Sequence, residues 1–325
     1  MTSTNPSPPW HRAAVTGGAG FIGSHLCERL LDSGVEVDCV DNLLSGSREN
    51  VAHLDGRPGF RFVECDVGAP RCPETLNGPY DLVLHFACCA SPADYLRFPL
   101  ETLDAGSTGT RALLTVAERD GARFLLASTS EVYGDPLVHP QREDYWGNVN
   151  PVGPRSVYDE SKRFAEALVT AHVRARGADA GIVRLFNTYG PRMRAHDGRA
   201  VPTFVCQALA GEPLTVAGDG LQTRSLCYVD DTVDGVLAVA GSRSVRPVNI
   251  GGTDEVAVVD IARRVLELTG SASRIEFVGR PVDDPQRRRP DTGLARALLG
   301  WEPKVPWEEG IKQTIAHFAA NRPSP

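Results

Sequence analysis

Residues 13–41, AAVTGGAGFIGSHLCERLLDSGVEVDCVD, decide the fold of this chain. Their apolar spacing predicts a strand, an amphipathic helix and a second strand, in the order AAVTG (13–17), SHLCERLLDSG (24–34) and EVDCVDN (36–42). The turn between the first strand and the helix has glycines at every third position, Gly17, Gly20 and Gly23. A strand, a glycine-rich turn, a helix and another strand predict two parallel strands joined by a helical crossover.

This turn has the features of a dinucleotide site. Glycines let the backbone approach a pyrophosphate closely, and the N-terminus of the following helix offers free N–H groups and a positive dipole end. Asp41 ends the second strand, where its carboxylate can accept hydrogen bonds from adenosine ribose hydroxyls and would repel a 2′-phosphate, which favours NAD over NADP. The predicted cofactor-binding residues are Gly17, Gly20, Phe21, Ile22, Asp41, Asn42, Asp66, Val67, Ala87, Thr102, Tyr158 and Lys162.

Working outward, the same alternation of elements continues. Further strands are predicted at 61–67, 82–87, 123–129 and 181–190, with a long helix near 100–119. This order predicts an α/β protein with a Rossmann-type doubly wound parallel sheet and a smaller C-terminal α/β substrate domain. The predicted divisions are a disordered N-terminus (1–10), an NAD-binding domain (11–185, with parts of 225–255 interleaved) and a nucleotide-sugar-binding domain (186–318).

Composition excludes several classes of protein. The chain has 325 residues and a net charge of −7, so no overall charge attracts nucleic acid or a membrane surface. No apolar run is long enough for a membrane span, and the eight cysteines lack the paired spacing of metal sites. We therefore expect a cytoplasmic protein with reduced thiols, no bound metal, and neither nucleic-acid nor membrane partners.

A catalytic pair is predicted in SVYDESKRFAEAL (156–168). Tyr158 and Lys162 are four residues apart, which places both side chains on one face of a helix. An ammonium beside a phenol favours phenolate, so the tyrosine can take a proton from an alcohol. Thr129 ends a predicted strand and can hydrogen-bond the same substrate oxygen, while Glu131 extends farther into the pocket. Lysine is otherwise nearly absent, since only three of the 34 basic residues are lysines.

Several longer runs resemble one family. The chain is similar to UDP-glucuronate decarboxylases of the extended short-chain dehydrogenase/reductase superfamily in ASTSEVYGDP (127–136), HPQREDYWGNVNPVGPRSVYDESKR (139–163), RLFNTYGPRM (184–193), DDPQRRRPD (283–291) and LLGWEPKVPWEEG (298–310). The resemblance implies oxidation of the sugar C4 by bound NAD, loss of the C6 carboxylate as CO2, and reduction of the C4 ketone to give UDP-xylose. It also implies a homodimer that pairs the helix near 100–119 and the Tyr158 helix with their mates.

The resemblance assigns roles to individual residues. Tyr158 would be base and then acid, Thr129 and Lys162 would hold the C4 oxygen, and Glu131 would order water or relay protons. Arg288 would orient the carboxylate or protonate C5. The implied substrate-binding residues are Tyr95, Asn187, Arg192, Arg224 and Arg288.

Alternatives remain open at this point. A sugar 4,6-dehydratase uses an Asp-Glu pair after the threonine, whereas this chain has Ser130-Glu131. A UDP-glucuronate 4-epimerase or another nucleotide-sugar epimerase/dehydratase, and an NAD-binding scaffold without activity, are the competing hypotheses. The chain departs from the family pattern at Cys89, Ala93, Gly106 and Ala52, so we also expect release of some UDP-4-keto-pentose.

Overall fold

The computed structural model describes residues 9–321. Its strands are β1 (Arg12–Thr16), β2 (Glu36–Asp41), β3 (Phe60–Glu64), β4 (Leu82–His85), β5 (Arg123–Thr129), β6 (Ala180–Leu185), β7 (Thr188–Tyr189), β8 (Leu214–Ala217), β9 (Thr223–Ser225), β10 (Cys227–Tyr228), β11 (Pro247–Ile250), β12 (Glu255–Ala257), β13 (Ile275–Val278) and β14 (Arg287–Arg288). The helices are α1 (Phe21–Asp32), α2 (Cys72–Thr75), α3 (Pro92–Arg97), α4 (Pro99–Asp104), α5 (Thr110–Asp120), α6 (Ser156–Arg176), α7 (Ala200–Ala210), α8 (Val229–Gly241), α9 (Val258–Thr269), α10 (Gly293–Leu299) and α11 (Trp307–Ala320).

A seven-stranded parallel sheet forms the centre of the fold, which confirms the predicted class. Its strand order is β11-β6-β5-β4-β1-β2-β3. The chain moves outward from β1 to β3 and then returns to place β4 on the other side of β1. This reversal opens a crevice beyond the carboxyl ends of β1 and β4, which is where sheets of this type bind their ligands.

Helices cover both faces of the sheet because its strands are apolar on both sides. In β1, Ala13 and Val15 pack into one core cluster and Ala14 into the other. Successive strand residues point to opposite faces, so the two clusters lie on opposite sides of the sheet. Leu26 of α1 belongs to the first cluster and Leu113 of α5 to the second.

The second half of the chain forms smaller sheets and also returns to the central one. β9 pairs with β12 and β14, β8 with β13, and β7 with β10. β11 pairs with β6 at the edge of the seven-stranded sheet. The predicted single strand at 181–190 is wrong in its second half, because β6 ends at Leu185 and β7 joins a separate pair.

The long helix predicted near 100–119 is interrupted. α4 and α5 are joined by a π-helical stretch, Ala105–Gly109. A Cβ at Gly106 would lie 2.7 Å from the Cβ of Ser161, so the glycine lets this stretch pack directly on α6. The position that departs from the family pattern therefore belongs to a contact between helices.

The predicted disordered N-terminus is only partly covered by the structure. Residues 1–8 lie outside the described residues, but Trp10 packs against the first core cluster, so the prediction is wrong at that residue. No helix among residues 9–321 combines the length and apolar character that a membrane span requires.

Candidate active site

A cavity of about 530 Å³ opens at the carboxyl edge of the central sheet. Its walls come from the turn after β1, the ends of β2, β4 and β5, helix α6, and the loops before α7 and β14. All the predicted site residues except Thr102 line it. Segments far apart in the chain therefore meet at one site.

The glycine turn is shaped for close backbone approach. Gly17 has φ of +68°, and a Cβ there would lie 2.7 Å from Ala87 N, while a Cβ at Gly23 would lie 2.1 Å from Gly17 O. Neither position can carry a side chain without moving the backbone. Gly20 caps α1 without a side-chain hydrogen bond, which leaves the helix N-terminus open to an anion.

Asp41 is oriented toward the cavity by main-chain donors. Its Oδ2 accepts a hydrogen bond from Ala19 N at 3.0 Å, and its Oδ1 accepts one from Leu43 N at 2.8 Å. Burial raises the pKa of Asp41, and these main-chain hydrogen bonds oppose the rise. A carboxylate held in this way fits the ribose of a dinucleotide, and Asp66 and Val67 form the adjoining wall.

Tyr158, Lys162 and Thr129 meet at the end of β5. Tyr158 and Lys162 are 6% and 4% exposed, on one face of α6. The Lys162 ammonium lies 5.9 Å from the centre of the Tyr158 ring and donates to Ala127 O at 2.9 Å. Tyr95 stacks on Tyr158 with ring centres 5.4 Å apart, so the phenol is held between an aromatic ring and the strand end.

The predicted fall in the Tyr158 pKa is wrong for this protein chain. Burial and the neighbouring Cys88 thiol raise the pKa of Tyr158, while a hydrogen bond with Thr129 and the charge of Arg199 lower it by less. The sequence prediction considered the ammonium but not the removal of the phenol from water.

Glu131 lies between two arginines. Its Oε2 accepts from Arg155 Nη2 at 2.7 Å, and its Oε1 accepts from Arg288 Nη1. Burial tends to raise the pKa of Glu131, but the charges and hydrogen bonds of Arg288 and Arg155 outweigh it and lower the pKa to about 2. Glu131 is thus held ionised, which suits it to accept hydrogen bonds rather than to supply a proton.

The predicted substrate residues divide into two places. Arg224 donates to Asp284 at 2.9 Å, and the Asn187 amide nitrogen is buried at the cavity wall without a partner among the described residues. Arg192 instead pairs with Glu28 of α1, on the side of the glycine turn. Arg192 lines the same cavity as Arg224, in a loop after β7 where it adopts φ +67°, and its contact with the diphosphate or its ribose stays a prediction.

Thr102 is also placed away from the cavity. Its side chain is fully buried, and its hydroxyl donates to Phe98 O at 2.7 Å. The prediction of Thr102 as a cofactor-binding residue is wrong, since its hydrogen-bonding capacity serves the start of α4. Ala87 does line the cavity, opposite Gly17.

Sequence reasoning missed several charged residues of the cavity, among them Arg155, Arg199 and Asp284. Arg155 pairs with Glu131, Arg199 forms an ion pair with Asp197, and Asp284 holds Arg224. Arg155 lies three residues before Tyr158, and this spacing could have indicated it. The pairings of Arg199 and Asp284 depend on loops and carry no local signal. Among the described residues, no group of three or more histidines, cysteines or acids is arranged to hold a metal.

Comparisons with known proteins agree with this geometry. Residues 13–251 match the model of the NAD dependent epimerase/dehydratase family. The chain is 49% identical over 307 residues to UDP-glucuronic acid decarboxylase 1 of Xenopus tropicalis, covering 94% of this chain and 72% of that protein. It is 47% identical to UDP-glucuronic acid decarboxylase 1 of Arabidopsis thaliana, covering 94% and 69%.

Solved structures show the same fold. UDP-glucose 4-epimerase of Thermotoga maritima, with UDP-glucose, matches at TM-score 0.87 and 30% identity, covering 95% of this chain and 99% of that one. dTDP-glucose 4,6-dehydratase of Streptomyces venezuelae, with NAD bound, matches at TM-score 0.87 and 30% identity, covering 96% and 98%. A family model that spans most of the chain and relatives near half identity lead to one conclusion: the chain belongs to the NAD dependent epimerase/dehydratase family.

Proposed function

We propose that this protein is a UDP-glucuronate decarboxylase that converts UDP-glucuronate to UDP-xylose and CO2. The observation that carries the proposal is the cluster of Glu131, Arg155 and Arg288 in the same cavity as Tyr158. Two guanidinium groups against one carboxylate leave positive charge at this end of the cavity, which suits a sugar that carries a carboxylate. The names of the curated relatives support the same reaction.

The cofactor is NAD, and the residues of the cavity fit it: the glycine turn would hold the pyrophosphate and Asp41 the ribose. When bound, NAD accepts the hydride from C4 of the sugar and returns it at the end of the cycle.

Tyr158 handles the proton of the C4 hydroxyl. As phenolate it takes this proton during oxidation, and as phenol it returns a proton to the C4 oxygen during reduction. Thr129 and Lys162 lie beside the phenol and would orient and polarise the same oxygen. Since burial raises the pKa of the phenol, the hydrogen bond with Thr129 and the charge of Arg199, which both lower this pKa, are needed to make phenolate accessible.

Decarboxylation follows from the C4 ketone. The bond between C5 and C6 breaks, its electron pair moves through C5 to the C4 oxygen as an enolate, and CO2 leaves. A proton then adds to C5. Arg288 and Arg155 would hold the carboxylate in line for this cleavage, while ionised Glu131 keeps the two guanidinium groups in place.

The test is incubation of the NAD-loaded protein with UDP-glucuronate, with CO2 and the sugar product measured. CO2 with UDP-xylose supports the proposal. A 4-epimer without CO2 would identify an epimerase, and tight NAD binding without turnover would identify a scaffold. A Tyr158→Phe variant, which should bind NAD without turnover, distinguishes catalysis by this protein from the activity of a contaminating enzyme.

We propose further that some UDP-4-keto-pentose leaves before reduction. Cys89 stands where the family pattern has proline, and it lines the cavity in the same buried cluster as Tyr158. Gly106, a further departure, contacts α6 instead and gives no support. NMR of the products would decide, because UDP-xylose alone without accumulation of reduced cofactor contradicts the proposal.

A homodimer is proposed on the faces of α4 and α6. Leu100, Leu103 and Phe164 expose 71%, 37% and 48% of their surfaces on these adjoining helices. Apolar side chains exposed together favour association. A Leu100→Glu variant should run as a monomer in size-exclusion chromatography, while Leu298→Glu, an exposed leucine of α10, should leave the dimer intact. Elution of the unmodified protein as a monomer would exclude the dimer.

A further inference from the structure

We propose that Tyr133, together with Glu166, Arg184 and Asn249, is a positioning network that fixes Arg288 relative to the oxidising residues on β5 and α6. None of these four residues lines the cavity. The inference rests on the proposed function, because it concerns the coupling between its oxidation and decarboxylation steps.

One end of the network lies behind the oxidising residues. Arg184 of β6 donates from Nε to Glu166 Oε1 at 2.8 Å and from Nη2 to Glu166 Oε2 at 2.7 Å. Ser128, next to Thr129, donates its hydroxyl to Glu166 Oε1 at 2.6 Å. Glu166 lies one helical turn after Lys162, so this ion pair joins β5, β6 and α6 directly beneath the catalytic pair.

The Tyr133 hydroxyl connects Arg184 to the Asn249 side chain. Tyr133 is fully buried, and its oxygen accepts from Arg184 Nη1 at 2.9 Å while it donates to Asn249 Oδ1 at 2.8 Å. The Arg184 guanidinium also lies over the Tyr133 ring, 4.9 Å from its centre. Both hydrogen bonds of this oxygen are therefore within the network. Glu143 makes a second connection, because its main-chain oxygen accepts from Arg184 Nη1 at 3.0 Å and its Oε1 accepts from Asn249 N at 3.0 Å. Removing the hydroxyl breaks the connection made through the Asn249 side chain.

The other end holds the segment that carries Arg288. The Asn249 amide donates to Gln141 O at 3.0 Å and to Asp291 O at 3.2 Å. Gln141 in turn accepts from Arg289 N at its side-chain oxygen, 2.8 Å away, and donates its own N–H to Arg289 O at 2.9 Å. The backbone on the far side of Arg288 is thus tied to the network through buried polar groups.

This arrangement answers a geometric need of the reaction. Thr129 ends a strand of the central sheet, whereas Arg288 lies on β14, in a small sheet formed by the second half of the chain. The ketone made at C4 decarboxylates only when Arg288 meets the carboxylate of the same bound sugar. Buried hydrogen bonds between the two segments hold that distance constant, since a shift would leave buried polar atoms unpaired.

The test compares Tyr133→Phe with Tyr145→Phe in the full-length, NAD-loaded protein. Tyr145 is a matched control: its ring stacks on Tyr133, 6.1 Å between centres, but its hydroxyl accepts from Leu137 N outside the network. Two rates are measured with UDP-glucuronate in a single turnover, the appearance of NADH absorbance and the release of CO2.

We expect Tyr133→Phe to slow CO2 release about tenfold relative to NADH appearance, the effect of one buried group losing its partner. NADH then accumulates, whereas Tyr145→Phe keeps the wild-type ratio of rates. An unchanged ratio in Tyr133→Phe, whether both rates fall together or neither changes, overturns the network. Should Tyr133→Phe fail to fold, Asn249→Asp, which keeps the acceptor for Tyr133 but loses the donor to Gln141 O, must show the same change in ratio. Wild-type protein that releases no CO2 overturns the proposed function itself.

Discussion

Replacing Asp159 with asparagine should change how the stability of this protein depends on pH. Asp159 follows Tyr158 on α6 and is 6% exposed, and its Oδ1 has no hydrogen-bond partner among the described residues. Burial and the negative charge of Glu131 raise the pKa of Asp159 to about 7, although Arg155 and Arg288 oppose the rise. A buried carboxyl of this kind retains its proton well above the ordinary pKa of 3.8.

The sign of the effect follows from proton binding. Between about pH 4 and about pH 7 the folded protein holds a proton that the unfolded chain has lost, so the free energy of unfolding falls as pH rises. Each pKa unit corresponds to about 1.36 kcal/mol, so the two units between about pH 5 and pH 7 amount to roughly 2–3 kcal/mol. Asparagine does not titrate and lacks this fall.

Denaturant-induced unfolding at a series of pH values measures the effect. Between about pH 5 and pH 7, the free energy of unfolding of Asp159→Asn should rise by about 2–3 kcal/mol relative to that of the wild type. Above about pH 7 the difference between the two proteins should stay constant. Glu160→Gln is the control, because the neighbouring Glu160 side chain is 37% exposed and pairs with Arg163 at the surface. Parallel stability profiles for wild type and Asp159→Asn across this range would refute the reasoning.

Three further changes test the site. Tyr158→Phe should abolish CO2 release from UDP-glucuronate while bound NAD, measured by absorbance after denaturation, stays at the wild-type level; turnover near the wild-type rate would contradict the assignment. Glu131→Gln should destabilise the protein by about 3 kcal/mol near neutral pH, since it leaves Arg155 and Arg288 buried without their counter-charge. That difference in stability, measured by denaturant unfolding, should disappear as pH falls from 4.5 toward about 2, where Glu131 itself becomes neutral. A difference that stays constant over this range would show that the charge of Glu131 does not contribute to stability. Arg224→Gln should raise KM for UDP-glucuronate about tenfold with little change in kcat, as expected for a contact made equally in ground and transition states, and an unchanged KM would remove Arg224 from the diphosphate site.

Local patterns predicted the central sheet because each of its elements carries its own signal. The period of the apolar residues and the glycine turn are both contained within about thirty residues, and they placed β1, α1 and β2 within a few positions. The interruption of the helix near 100–119 was missed because its cause is tertiary. Gly106 permits close packing on Ser161, and nothing near position 106 shows that Ser161 is its neighbour.

The candidate site was predicted residue by residue, but not its charge pairing. Tyr158, Lys162 and Thr129 were found because spacing on a helix and position at a strand end are local properties. The pKa of Tyr158 moved opposite to the prediction, since burial depends on the whole fold. The pairing of Arg192 with Glu28 was not predicted for a similar reason, because the two residues lie far apart in the sequence and meet only in the fold.

The paired arginines also explain how an acidic chain can hold an anionic sugar nucleotide. Two paired strands in the cavity wall each carry an arginine that already has a carboxylate partner: Arg224 of β9 pairs with Asp284, and Arg288 of β14 pairs with Glu131. An unpaired buried arginine would be costly, so these carboxylates stabilise the charge until a ligand arrives. A diphosphate or a sugar carboxylate that enters must share or replace them, and binding becomes an exchange of one anion for another. Such an exchange depends on whether the anionic groups of the ligand meet these arginines more than on overall attraction, which is why a net charge of −7 does not prevent it.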